Sequence, residues 1–114
     1  MAISPTQNSL KWLAENGYAA EVVEQYKPVR GNWAMGKRHD LFGFGDIFAI
    51  HEESGEILIV QTTAYSGVSA RVKKINSDDL AKNVALVRKA GIRIVVHGWR
   101  KVKGRWTFRE VDLS

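Results

Sequence analysis

Asp46, Gln61 and Thr63 sit on two adjacent strand-like segments where their side chains could do chemistry. Asp46 opens the run Gly-Asp-Ile-Phe-Ala-Ile (45–50). After a Ser-Gly turn, the run Glu-Ile-Leu-Ile-Val-Gln-Thr-Thr (56–63) ends on Gln61 and Thr63. Alternation along a strand puts Gln61 and Thr63 on the same face as Ile57 and Ile59. Two successive polar positions on an otherwise apolar face suggest a cleft. A carboxylate and a carboxamide oxygen are hard donors that suit a hard cation such as Mg²⁺. The trio therefore outlines a metal-dependent hydrolytic centre, with Asp46 as principal ligand, Gln61 as secondary ligand and Thr63 lining the site. The plainer reading makes Asp46 a turn cap and the other two a strand emerging into solvent.

The elements that must position these residues follow from periodicity and punctuation. Residues 5–16 read as a helix, capped by Ser4 or Thr6, with Pro5 in its first turn, an apolar stripe of Leu10, Leu13 and Ala14, and Gly17 as terminator. Residues 19–27 read as a strand ending at Pro28. The glycine-rich, basic stretch 28–45 reads as a long loop, a kind of segment that is often functional. Strands at 46–52 and 56–64 form a hairpin around Ser54-Gly55. Val68, Val72 and Ile75 recur at helical spacing. Ser77 with Asp78 and Asp79 predicts a cap for a helix over 78–90, with Leu80, Val84 and Val87 inward and Gly91 as terminator. A strand over 92–102, a Lys103-Gly104 turn and a strand over 105–111 complete the order α-β-β-β-α-β-β, the 68–90 region being one helix or two.

The length of 114 residues and 45% apolar content imply one domain, 1–114, with a single core. No segment is long and apolar enough to span a bilayer, and the N-terminus lacks a signal-peptide pattern, so no membrane partner is expected. The absence of cysteine excludes thiolate metal sites and disulfides and fits a cytoplasmic location. Seventeen basic residues against twelve acidic ones give a net charge of +5, which favours polyanionic partners. Much of the excess falls in loops and element ends around the proposed centre: Arg30, Lys37, Arg38, Arg71, Lys73, Lys74, Arg100, Lys101, Lys103 and Arg105.

The element order, together with Gly-Asp-Ile-Phe-Ala-Ile and Ile-Val-Gln-Thr-Thr, resembles the PD-(D/E)XK nuclease superfamily. Within it, the chain looks most like the Holliday-junction-resolvase-like branch and its small phage-encoded proteins. The segments Arg38–Asp46, Val60–Thr63, Ala70–Ile75 and His97-Gly98-Trp99 carry the likeness, which spans roughly residues 8–110. It implies a restriction-endonuclease-like αβββαβ core, here with an extra C-terminal strand, and a metal-dependent DNA endonuclease using Mg²⁺ or Mn²⁺. It also implies a branched or distorted DNA substrate, a homodimer, and a phage or bacterial cytoplasmic setting.

In that superfamily an aspartate and a glutamate hold the metal while a lysine positions or activates water. Asp46 falls at the aspartate, but Gln61 and Thr63 replace the glutamate and lysine, so other residues must supply the lost charge. Asp40 is the candidate second carboxylate and Glu21 or Glu24 a third; Lys37, Lys73 or Lys74 could restore the positive charge. The resolvase branch often places a glutamate near the start of the first helix. Here that stretch is Thr6-Gln7-Asn8-Ser9, and Glu15 lies near the opposite end. Arg71 and Lys74, three residues apart on one helical face, are expected to clamp backbone phosphates together with Lys37, Arg38 and Lys73. Trp33 could stack on an unpaired base, whereas Trp12, Trp99 and Trp106 read as packing residues. His39, His51 and His97 lack metal-ligand spacing, and Gly43-Phe44-Gly45 lacks the third glycine of a dinucleotide loop. The rival reading is a catalytically inactive nuclease-fold protein that binds DNA or acts as an accessory factor. A third is an interaction domain without nucleic-acid contact.

Overall fold

The computed structural model describes residues 3–23, 25–29 and 32–114, with backbone alone for 25–29 and 32–39. The chain runs α1 (Pro5–Glu15), β1 (Tyr18–Val22), β2 (Gln25–Val29), β3 (Asn32–His39), β4 (Ile47–His51), β5 (Ile57–Ala64), α2 (Val68–Ile75), α3 (Ala81–Lys89), β6 (Arg93–Val102) and β7 (Arg105–Asp112). Five strands form one mixed sheet in the order β1-β4-β5-β6-β7, and β2 and β3 pair separately. All contacts in the main sheet are antiparallel except β5–β6, a parallel pair joined by a crossover through α2 and α3. The molecule is therefore α/β, with helices on both faces of the sheet.

Each face has its own core. On one, Ile59, Ile94 and Val96 pack with Phe44, Val68 and Ile75, and with Val84 and Val87 of α3. On the other, Leu58, Val60 and Val95 meet Ile47, Ala49 and Leu13 of α1. Because β5 and β6 are covered on both sides, they read as consecutive apolar runs rather than as alternation.

Ser4 caps α1 through a capping box. Its Oγ accepts the Gln7 N–H at 3.1 Å, and Gln7 Oε1 accepts the Ser4 N–H at 3.1 Å. The expected stripe is only partly right. Leu13 is buried and Leu10 half-buried, but Ala14 is exposed, and α1 instead buries Asn8 and Ser9. A helix that buries polar residues must satisfy them through specific partners.

Three further expectations change. The strand expected over 19–27 divides into β1 and β2, and the stretch 28–45 is not simply a loop, since it carries β3, paired with β2. The β2–β3 register shifts between Lys27 and Val29, where Pro28 cannot donate a ladder hydrogen bond. Its many glycines and lack of apolar alternation hid this hairpin. Ser77 occupies the cap position with extended backbone, yet makes no capping bond. Its hydroxyl donates instead to the Lys74 carbonyl at 2.6 Å, and α3 begins only after a 3₁₀ turn at Asp78–Leu80.

At the end of the sheet remote from the C-terminus of β5, Arg93 bridges Glu56 and Asp112. Hydrogen bonds from Ser114 first, and from Arg93 second, hold the Asp112 carboxyl at about 2, down from an ordinary 3.8. Glu110 is also held low, chiefly by its hydrogen bond to His97. Carboxyls depressed on folding contribute stability above the ordinary carboxylate range and lose it as pH falls through their folded values. Thermal midpoints measured against pH should therefore decline from about pH 4 to pH 2, and Asp112→Asn should flatten part of that decline. An identical profile for wild type and variant would exclude Asp112 as a contributor.

Candidate functional site

The C-terminal end of β5 opens into a cleft of about 460 Å³. The first turn of α1 (Ser4, Pro5 and Thr6) lines one side, Asp40 and Arg71 another, and Asp46 with Gln61–Ala64 the base. Asp46, Gln61, Thr63, Asp40 and Arg71 are thus brought together around one space.

Asp46 is 7% exposed and lies where β4 leaves the β5 ladder. Its N–H donates to the Val60 carbonyl at 2.9 Å. Its Oδ2 accepts the Thr62 N–H at 2.8 Å and the Thr62 hydroxyl at 3.3 Å. The carboxylate thereby replaces the backbone acceptor that the departing strand no longer supplies. Thr62 Oγ1 in turn meets Thr6 Oγ1 at 2.8 Å, linking the carboxylate to α1. Asp46 thus holds the end of β5 while also lining the cleft.

Gln61 is 2% exposed, and its Oε1 has no hydrogen-bond partner among the described residues. A buried carbonyl left unsatisfied typically costs on the order of 1–3 kcal/mol, so an unpaired one at a cleft is an acceptor that a water or a ligand would satisfy. Thr63 shares that face and packs against Gly67, where a Cβ would collide with its Oγ1. Gly45, just before Asp46, packs against Ile59: a Cβ there would come within 2.6 Å of Ile59 Cγ2. Glycine at these two positions lets the backbone close around the site.

Asp40 pairs with Lys74 at 3.7 Å, so Lys74 reaches the cleft rim through a carboxylate. Arg71 lines the cleft itself, whereas Lys73 is exposed on α2 and outside the lining. Glu21 is exposed on β1 opposite Phe48 and does not join the site. The Lys37, Arg38, His39 and Trp33 side chains, and all of Arg30 and Glu24, lie outside the described residues. Among the described residues no cluster of three His, Asp or Glu side chains suited to a metal ion occurs, so a hard cation would depend on Asp46 and neutral oxygens, with Asp40 the other carboxylate lining the cleft. The buried, unpaired Gln61 Oε1 beside Asp46 fits such a donor set.

A second polar cluster lies behind α1. His97 is fully buried; its Nδ1 meets Ser9 Oγ at 3.0 Å and its Nε2 meets Glu110 Oε2 at 2.9 Å. Trp99 Nε1 donates to the same Ser9 Oγ at 2.8 Å. Ser9 is buried, which denies it a nucleophile's access, so the network ties α1 to β6 and β7. His51 accepts the Glu53 and Ser54 N–H groups and caps the turn before β5. The roles of Ser9, Thr6 and Thr62 escaped the sequence reading, which took Thr6 only as a candidate helix cap and gave Ser9 and Thr62 no role. The available signal was two hydroxyls three residues apart on the face of α1 that also carries Leu13.

Compared with known proteins, the chain matches no family model, no curated protein and no solved structure.

Proposed function

We propose that the protein is a small nuclease of restriction-endonuclease-like architecture, hydrolysing phosphodiester bonds in DNA with Mg²⁺ or Mn²⁺ at the Asp46–Gln61 cleft. The observation that carries this reading is the buried, unpaired Gln61 oxygen beside Asp46 at the C-terminal end of the central strand. The order α1-β1-β4-β5-α2-β6, with β4 and β5 antiparallel and β5 and β6 parallel, supports it as the arrangement that the αβββαβ resemblance implies.

Asp46 and Gln61 Oε1 would hold the cation, with Asp40 as the second carboxylate of the cleft. When bound, the cation polarises the phosphoryl oxygens and makes bound water more acidic. The rest falls to the chain. Thr62, steadied by Thr6, fixes the Asp46 carboxylate before substrate arrives. Arg71, always protonated, binds a non-bridging phosphate oxygen and cannot act as a base. Asp40 is then the residue available to accept a proton from the attacking water. A branched DNA substrate and a homodimer remain part of this proposal on the resemblance alone.

The test is cleavage of plasmid and four-way-junction DNA in Mg²⁺ or Mn²⁺, with Asp46→Ala alongside. Equal cutting by both would remove Asp46 from the site. Gln61→Glu adds a ligand charge where a neutral oxygen stands, and should raise Mn²⁺ affinity by roughly tenfold, read by calorimetry. Unchanged affinity would remove Gln61 from the metal site.

The pairing of Asp40 with Lys74 favours a second reading, in which the cleft binds a DNA backbone as an accessory site without cutting. That reading gains support if DNA binds without hydrolysis and an Arg71/Lys74 double substitution lowers the salt slope by about two.

A further inference from the structure

We infer that the groove between α1 and the β6–β7 hairpin is a binding site for an unpaired nucleobase of single-stranded DNA, beside the cleft and separate from it. The groove encloses about 290 Å³. Trp12, Trp99, Trp106 and Phe108 are its aromatic lining, with Trp99 stacked on Phe108 at 4.5 Å and 20°. Lys11 lines it, and Lys101 lies 5.7 Å from the Trp106 ring centroid. Glu15, at the far end of α1, is the carboxylate in the lining.

Two observations point to a planar, polar-edged ligand in preference to a purely apolar one. Trp106 and Phe108 are half-buried on a strand whose flanking Arg105, Thr107 and Arg109 are exposed. Asn8 is 6% exposed, lines the groove, and its Nδ2 has no acceptor among the described residues. A nucleobase answers both needs, offering a ring to stack and an edge acceptor for the amide. The lysines favour the phosphates that accompany such a base.

Position connects the groove to the cleft. Ser4, Pro5 and Thr6 line the cleft while Ile3, Gln7 and Asn8 line the groove, so the first turns of α1 separate them. A strand whose backbone crosses Arg71 could pass over this turn and place a base against Trp106. The inference concerns binding and does not depend on hydrolysis at Asp46.

The test titrates the full chain with fluorescein-labelled dT10, and with a blunt duplex of equal length, in EDTA. Trp106→Ala should weaken dT10 binding by about 5- to 150-fold, the range for losing one base–aromatic stack. Trp106→Phe should retain binding within a few-fold, and Asn8→Leu should weaken it severalfold. Duplex affinity should change little in all three. The inference is overturned if dT10 fails to bind the wild type, or if Trp106→Ala and Asn8→Leu both bind it as tightly as wild type. Because cleavage is assayed separately in Mn²⁺, loss of the groove and loss of the nuclease reading are distinguishable.

Discussion

Asp46→Asn is expected to reduce metal-dependent DNA cleavage by on the order of 10²- to 10³-fold while leaving the fold intact. On the proposed nuclease reading, the size follows from removing the charged group that would hold the cation where negative charge would develop. The intact fold follows from the hydrogen bonds. An asparagine oxygen can still accept from the Thr62 N–H and hydroxyl, so the end of β5 keeps its partner. Asp46→Ala removes that acceptor as well and leaves a buried N–H unpaired, adding about 1–3 kcal/mol of instability. Comparing the two separates chemistry from architecture. Cleavage by Asp46→Asn at the wild-type rate, with wild-type thermal stability, would exclude the carboxylate from catalysis.

Phe44→Ala should give the largest loss of stability, about 3–5 kcal/mol, with a fall in thermal midpoint of roughly 10–25 °C. Phe44 is fully buried and packs with Ile59, Val84 and Ile94 among others on the α2–α3 face. It also anchors the tight segment from Asp40 to Asp46. In that segment Leu41 and Gly45 exchange backbone hydrogen bonds, and Phe42 and Gly43 take positive φ values of 54° and 88°. The same substitution should therefore loosen both cleft carboxylates, so that any residual activity falls further than the folded fraction does. A midpoint shift below about 4 °C, roughly what 1 kcal/mol produces, would mean that the site collapses around the deletion.

Much of the frame was legible in the chain. The runs 45–50 and 56–63 showed β4 and β5 because buried strands with a Ser-Gly turn have few other solutions. Lys103-Gly104 between two strand-forming runs located the last hairpin, and both residues take positive φ there. The shared face of Gln61 and Thr63 followed from alternation alone. The β2–β3 hairpin was not legible, because its sequence has neither alternation nor a strong turn dipeptide. Nor was the α1 face, since Asn8 and Ser9 are polar, and the burial of Ser9 becomes favourable only through its partners His97 and Trp99.

By itself the sequence determined the type and order of the main sheet elements and the polar positions on β5, because these rest on periods of 2.0 and 3.6 residues and on turn chemistry. Only the tertiary structure decided which polar residues meet. Asp40 joins Asp46 because the segment around Phe44 folds back, and Arg71 enters the cleft while Lys73 faces solvent because α2 packs through Val68 and Ile75. Thr6 reaches Thr62 across 56 residues of chain. Such meetings depend on how two layers pack against one sheet, and no local pattern encodes that.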